Sequence, residues 1–175
     1  MIVKPEKILK RIIKAIGQRQ SVLLIGDWNE KIIKGIKENQ NSLTQTSDTI
    51  TKLQFEDNSF TRIVADYNSP IFNSEHLFFY EARKLLLPTG LIIISANCKE
   101  GIFEKFAKLF KKTYIKEGAI KRISPKTLQD QIHDHGFLID GYYGYPGGHL
   151  LMMAQITNKE VTTLFSSEKQ ETIKL

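Results

Sequence analysis

One cysteine, Cys98, stands in 175 residues, so no disulfide can staple the chain internally, and a reducing compartment suits it. Long apolar runs are missing as well: none approaches the ~20 residues that a membrane-spanning helix requires. Near the N-terminus, Lys4, Glu6, Lys7 and Lys10 interrupt the apolar stretch of a secretory signal, and Glu6 with the lack of serines argues against an organelle-targeting helix. The expected location is cytoplasmic. Internal repeats, low-complexity linkers and domain boundaries are also lacking. The expectation is one domain over residues 1–158, followed by a polar tail over 159–175.

What is present is ordinary for a globular protein. The hydrophobic fraction of 41% and the charged fraction of 25% exclude wholesale disorder. The net charge of +6 and a pI near 9.3 admit an anionic partner, either nucleic acid or a membrane surface. A chain rich in Lys, Ile and Asn also carries many simply solvated lysines, and that reading is favoured.

Hydrophobic spacing orders the chain into alternating elements. Ile8, Leu9, Ile12, Ile13 and Ile16 make a helical stripe that Gly17 stops. Ser21-Val22-Leu23-Leu24-Ile25-Gly26 is a continuous apolar run ending in glycine, the pattern of a strand buried on both faces. Helical spacing returns from Lys31 to Asn39 through Ile32, Ile33 and Ile36, and the polar stretch from Asn41 to Lys52 offers one weak edge strand. A buried strand follows at Arg62–Asp66, then a helix from about Ser74 to Leu87, a turn at Pro88-Thr89-Gly90, and the most apolar strand, Leu91–Ala96.

Phe103, Phe106 and Phe110 head a further helical stripe opposite Lys105, Lys108, Lys111 and Lys112, and this stripe is expected to pack onto the domain. Ser124 and Pro125 read as an N-cap and first helical position, with Gly136 closing that helix. Two last strands, Phe137–Tyr143 and Leu150–Ile156, join through Pro146-Gly147-Gly148-His149, where His149 is expected to be exposed. Strands alternating with helices imply an α/β domain with a mainly parallel sheet, and the closing hairpin makes the last strand antiparallel.

Several of these segments resemble the class I S-adenosylmethionine (SAM) methyltransferases, particularly the group labelled type 11. Phe55-Glu56-Asp57-Asn58-Ser59-Phe60 is similar to that family's Phe-x-Asp-x-Ser-Phe-Asp lead-in to its fourth strand, with Thr61 in place of the final Asp. The run from Glu81-Ala82-Arg83 through Leu87-Pro88-Thr89-Gly90 to Leu91-Ile92-Ile93-Ile94-Ser95 is similar to its Glu-x-x-Arg-x-Leu-x-Pro-Gly-Gly helix, turn and fifth strand. Ser124-Pro125 through Gly136-Phe137 resembles the helix before the terminal strand pair. With Val22–Gly26 the likeness runs in order over roughly residues 20 to 156. It implies a Rossmann-like sheet and, as cofactor, SAM.

The family holds SAM on an acid-x-Gly-x-Gly-x-Gly loop after the first strand, where glycines let backbone approach the ligand. Mapped onto this chain, the acid position is Leu24, the first glycine is Gly26, and the other two glycine positions are Trp28 and Glu30. The resemblance also calls for two nucleoside-binding carboxylates. Asp48 fits the spacing of both, so the strand–helix–strand stretch between the first and fourth family strands is expected to be shortened, with one wall of the adenine pocket gone.

The resemblance nominates Gly26, Asp27, Asp48 and Asp66 as cofactor-binding residues. Three of them also have a bland role: Gly26 ends a strand, Asp27 caps the next helix, and Asp48 sits in a turn. Asp66 closes a central strand where open α/β sheets bind ligands, with Tyr67 and Asn68 following. Asn68-Ser69-Pro70 is similar to the Asn-Pro-Pro-aromatic motif of amino methyltransferases, but Ser69 and Ile71 break it. His133 and His135 are two apart on one helix, cannot share a face, and supply no metal site. No nucleophile, triad or acid–base pair stands out, and no catalytic residue is assigned.

Three functions compete. The favoured one is a methyltransferase-fold protein with weak or lost SAM binding, a pseudoenzyme that acts as a non-catalytic module binding a protein or small molecule. The alternative is an active, divergent methyltransferase on a small molecule. A nucleic-acid or membrane-surface binder using the basic helices is third.

Overall fold

The computed structural model describes residues 6–46, 55–98, 122–145 and 148–157. Asp48, the Phe103–Phe106–Phe110 stripe and the tail from 159 lie outside the described residues. Helix α1 spans Glu6–Ile16, strand β1 Ser21–Ile25, helix α2 Glu30–Glu38 and strand β2 Ser42–Thr46. Strand β3, Phe60–Asp66, leads through a 3-10 turn at Pro70–Asn73 into helix α3, Glu75–Leu85. Strand β4 spans Leu86–Cys98 and the two-residue β5 Arg122–Ile123. Helix α4, Pro125–Asp134, precedes strands β6, Phe137–Tyr145, and β7, His149–Ile156.

The sheet runs in the order β2-β1-β3-β4-β7-β6, with β5 paired to the end of β4. Strands β2, β1, β3 and β4 are mutually parallel, while β7 runs antiparallel to both β4 and β6. This is the mainly parallel sheet with an antiparallel last strand that the spacing predicts. Among the described residues, one helix and one strand lie between β1 and β3, in keeping with the shortening expected there. The polar strand β2 forms the sheet edge on that side, where its threonines and glutamine meet water.

Alternation along the strands divides the core in two. Val22, Leu24, Val64, Leu91 and Ile93 point to the face covered by α1 and α2, where Ile8, Ile12, Ile32 and Ile36 meet them. Leu23, Ile25, Ile63, Ala65, Ile92 and Ile94 point to the other face, under Phe78, Phe79, Leu128 and Ile132 of α3 and α4. A strand buried on both faces has no polar side to show, which is why β1 and the Leu91–Ile94 part of β4 are continuous apolar runs.

Local chemistry sets the element ends. Gly17, at φ +82°, ends α1 with its N–H on the Ile13 carbonyl. Ser124 caps α4, its hydroxyl accepting from the Thr127 N–H with Pro125 in the first turn, as the sequence predicts. Two expectations change. The oxygen that caps α2 belongs to the Asn29 side chain, which accepts from the Ile32 N–H; Asp27 sits two residues too early and points to solvent. Pro88-Thr89-Gly90 is not a turn between elements but an irregularity within β4. Leu86 pairs with Phe60 and Leu91 with Arg62, so Leu87–Gly90 bulge opposite the single residue Thr61.

Candidate cofactor site

In an open parallel sheet, ligands sit beyond the C-terminal strand ends. Here that rim is made by the Gly26 turn after β1, the Asp66–Ser69 turn after β3 and Ser95 on β4. Gly26 is at φ +107°, a conformation that side chains rarely adopt, and its N–H donates to the Thr46 carbonyl at 2.9 Å. A Cβ built on Gly26 would lie 3.1 Å from the Asp66 Cβ and 3.3 Å from the Ser69 Cβ. Of the four nominated residues the fold thus brings Gly26 and Asp66 together, turns Asp27 outward, and leaves Asp48 outside the described residues.

Asp66 is 6% exposed, and one of its carboxylate oxygens accepts from both the backbone N–H and the side-chain amide of Asn68, at 3.1 and 3.0 Å. Its carbonyl accepts from the Ser69 N–H, so the chain doubles back directly after β3. Ser69 is equally buried, and its hydroxyl, like the Asn68 side-chain oxygen, has no hydrogen-bond partner among the described residues. Buried polar atoms of this kind are uncommon and mark places where water or a polar ligand can enter.

The residues match SAM poorly in the way the family grips it. Leu24 is fully buried in the α1/α2 cluster, so the acid position offers only hydrocarbon. Trp28 is 4% exposed in the same cluster, and its indole N–H donates to the Ile25 carbonyl at 2.9 Å. The side chain neither lies open nor fills an empty pocket; it is part of the core. Glu30 begins α2 and is exposed. The surface of Gly26 that a ligand would approach is closed on one side by Asp66 and Ser69.

Next to this rim stands a network that the residue pattern did not reveal. The Tyr67 phenol, buried, donates to the Glu75 carboxylate at 2.5 Å, and the Gln131 amide donates to the other carboxylate oxygen. The Tyr67 N–H donates to the Ser95 carbonyl at 2.8 Å, tying β3 to β4. Burial, and then the Glu75 carboxylate beside it, push the Tyr67 phenol well above its ordinary range. In the unfolded chain a phenol ionises near pH ~10. Stability from the folded proton is therefore complete below that pH and is lost as pH climbs towards the raised folded value. Tyr67→Phe should lower stability by about 1–3 kcal/mol at neutral pH, because the half-buried Glu75 carboxylate loses the donor that the buried phenol supplies. In urea titrations at pH 8 and above pH ~10, the wild type should lose more stability than the variant; equal losses would count against the network.

No family model and no curated protein sequence matches the chain. Solved structures do, at low identity. A Burkholderia thailandensis 1,6-didemethyltoxoflavin-N1-methyltransferase, solved with 1,6-didemethyltoxoflavin and S-adenosylhomocysteine bound, superposes with a TM-score of 0.65 at 13% identity, over 87% of this chain and 78% of that one. A SAM-dependent methyltransferase from Aquifex aeolicus reaches 0.60 at 12% identity, over 88% and 94%. One from Methanosarcina mazei reaches 0.57 at 14%, over 91% and 100%. The chain has the class I SAM-dependent methyltransferase fold, in a strongly diverged form.

Proposed function

We propose that the protein is a methyltransferase-fold module in which SAM binding is weak or lost and which works by binding a protein or small molecule, without catalysis. The observation that carries this reading is Trp28, a core side chain at a position where the family has glycine. The burial of Leu24 adds to it, because the cationic end of SAM finds no carboxylate there. One domain over residues 1–158 in the cytoplasm completes the proposal.

Titration calorimetry with SAM and with S-adenosylhomocysteine tests it. Each lost charge-assisted hydrogen bond removes about 1.5–3 kcal/mol, so two or three losses weaken affinity by between roughly a hundredfold and roughly a millionfold. The expected result is no measurable heat at micromolar concentrations. Micromolar binding that disappears in Asp48→Ala would restore the alternative, an active small-molecule methyltransferase. The unpaired Ser69 hydroxyl beside Gly26 is the feature that supports that alternative.

A further inference from the structure

We infer that His76 and His135 form a two-histidine site for a divalent transition metal, bridging the start of α3 to the end of α4. The pair lies 59 residues apart in the chain, and His76 Nδ1 is 2.8 Å from His135 Nε2. Metal–imidazole bonds are about 2.0–2.1 Å long, so nitrogens at that separation subtend roughly 90° at a shared ion. That is a cis angle of a square-planar or octahedral centre, the preference of Cu(II) and Ni(II), and is narrower than a tetrahedral Zn(II) site wants.

The surroundings prepare His135 as a ligand. Its Nδ1 lies 2.6 Å from the Gln131 carbonyl, which can only accept, so Nδ1 carries a proton and Nε2 in the neutral ring presents a lone pair. A ring nitrogen held by a backbone carbonyl is the supporting contact that metal-binding histidines ordinarily have. Phe79 stacks on the His135 ring at a centroid distance of 4.8 Å and sets its plane. The backbone at the ring is also held, because the Arg83 guanidinium donates to the carbonyls of His135 and Gly136.

His76 is exposed and His135 half-buried, so an ion arriving from water reaches both. Without metal, His76 donates its Nδ1 proton to His135. With metal, that proton resides on His76 Nε2, and the exposed His76 ring turns so that its Nδ1 lone pair meets the ion beside the fixed His135 Nε2. No group of three or more His, Cys, Asp or Glu with metal-holding geometry occurs among the described residues, so water completes the coordination. The site does not rest on SAM binding or its loss.

The test is titration of the full chain with Cu(II), Ni(II) and Zn(II), read by calorimetry and by the Cu(II) absorption and electron paramagnetic resonance spectra. One equivalent of Cu(II) or Ni(II) should bind, with nitrogen ligation in the Cu(II) spectra and weaker Zn(II) affinity. His76→Gln and His135→Gln should each lose affinity by tenfold or more, the scale on which loss of even a supporting partner acts at metal sites. His133→Gln and His149→Gln should bind as the wild type does. Circular dichroism separates loss of the ligand from loss of the fold, and His76→Gln, at an exposed position, decides if His135→Gln unfolds. No binding by the wild type, or equal binding by the wild type and His76→Gln, would overturn the proposal.

Discussion

Trp28→Ala should destabilise the protein by about 3–5 kcal/mol, the usual loss for a large aromatic removed from a core. For a chain of this size that corresponds to a melting temperature lower by roughly 6–20 °C. The reason is its place in the cluster formed with Ile8, Leu9, Ile12 and Ile32, together with the hydrogen bond from its indole N–H to the Ile25 carbonyl. The same substitution discriminates between two roles. A tryptophan that merely plugs an otherwise intact cofactor pocket would come out at little cost in stability, and SAM binding would appear. A tryptophan built into the core leaves a cavity under α1 and no cofactor site. The expected pair of results is a large drop in denaturant midpoint and no calorimetric signal with SAM. Near-neutral stability with micromolar SAM binding would reverse the proposed function.

Phe79→Ala should have an effect of the same size, about 3–5 kcal/mol, on the opposite face of the sheet. Its ring is fully buried, meets Phe72, Phe78 and Phe137 with centroids 6.5, 5.1 and 5.9 Å away, and stacks on His135. One side chain thus joins the 3-10 turn after β3, helix α3, the end of α4 and the start of β6. Tyr80 is the control. It is the next residue on α3 and is 61% exposed, so Tyr80→Ala should shift stability by no more than ~0.5 kcal/mol. A comparison of denaturant midpoints checks both. Similar small effects at the two positions would mean that α3 presents a different face to the sheet.

Much of the fold was legible in the residues because its signals are local or periodic. The stripe of Ile8, Leu9, Ile12 and Ile16 does mark a buried helix face, and Ser21–Ile25 and Leu91–Ile94 are strands buried on both sides. Ser124-Pro125 and Gly136 bound α4 because a hydroxyl cap, a fixed proline φ and a positive glycine φ at 74° act within a few residues. Where the structure departs from the local sequence signals, two such signals compete. Asp27 and Asn29 are both capping residue types, and the register of α2 selected Asn29. Pro88-Thr89-Gly90 has turn chemistry, but pairing with β3 continues on both sides of it, so it became a bulge.

The candidate site was less legible. Nothing in the spacing distinguishes a tryptophan that closes a pocket from one that joins a core, because the difference lies in which face of β1 the loop crosses. In the sequence Ser69 is only a break in a motif, yet in the fold it is the buried hydroxyl beside Gly26. Tyr67, Glu75 and Gln131 come from three elements, and no local pattern joins them. In the sequence the histidine nearest His135 is His133 on the same helix, whereas the one it meets in the fold is His76 on another.

By itself, the sequence determined most of the described helices and strands, that the sheet is mainly parallel with an antiparallel end, and that Leu24, Trp28 and Glu30 stand where the resemblance puts an acid and two glycines. Those follow from apolar period, turn chemistry and residue identity, which are properties of neighbours in the chain. Only the tertiary structure decided that Gly26 packs on Asp66 and Ser69, that Trp28 belongs to the α1/α2 core, and that His76 meets His135. These are contacts between residues brought together by strand order and helix packing, and side-chain direction at such a meeting depends on every element around it.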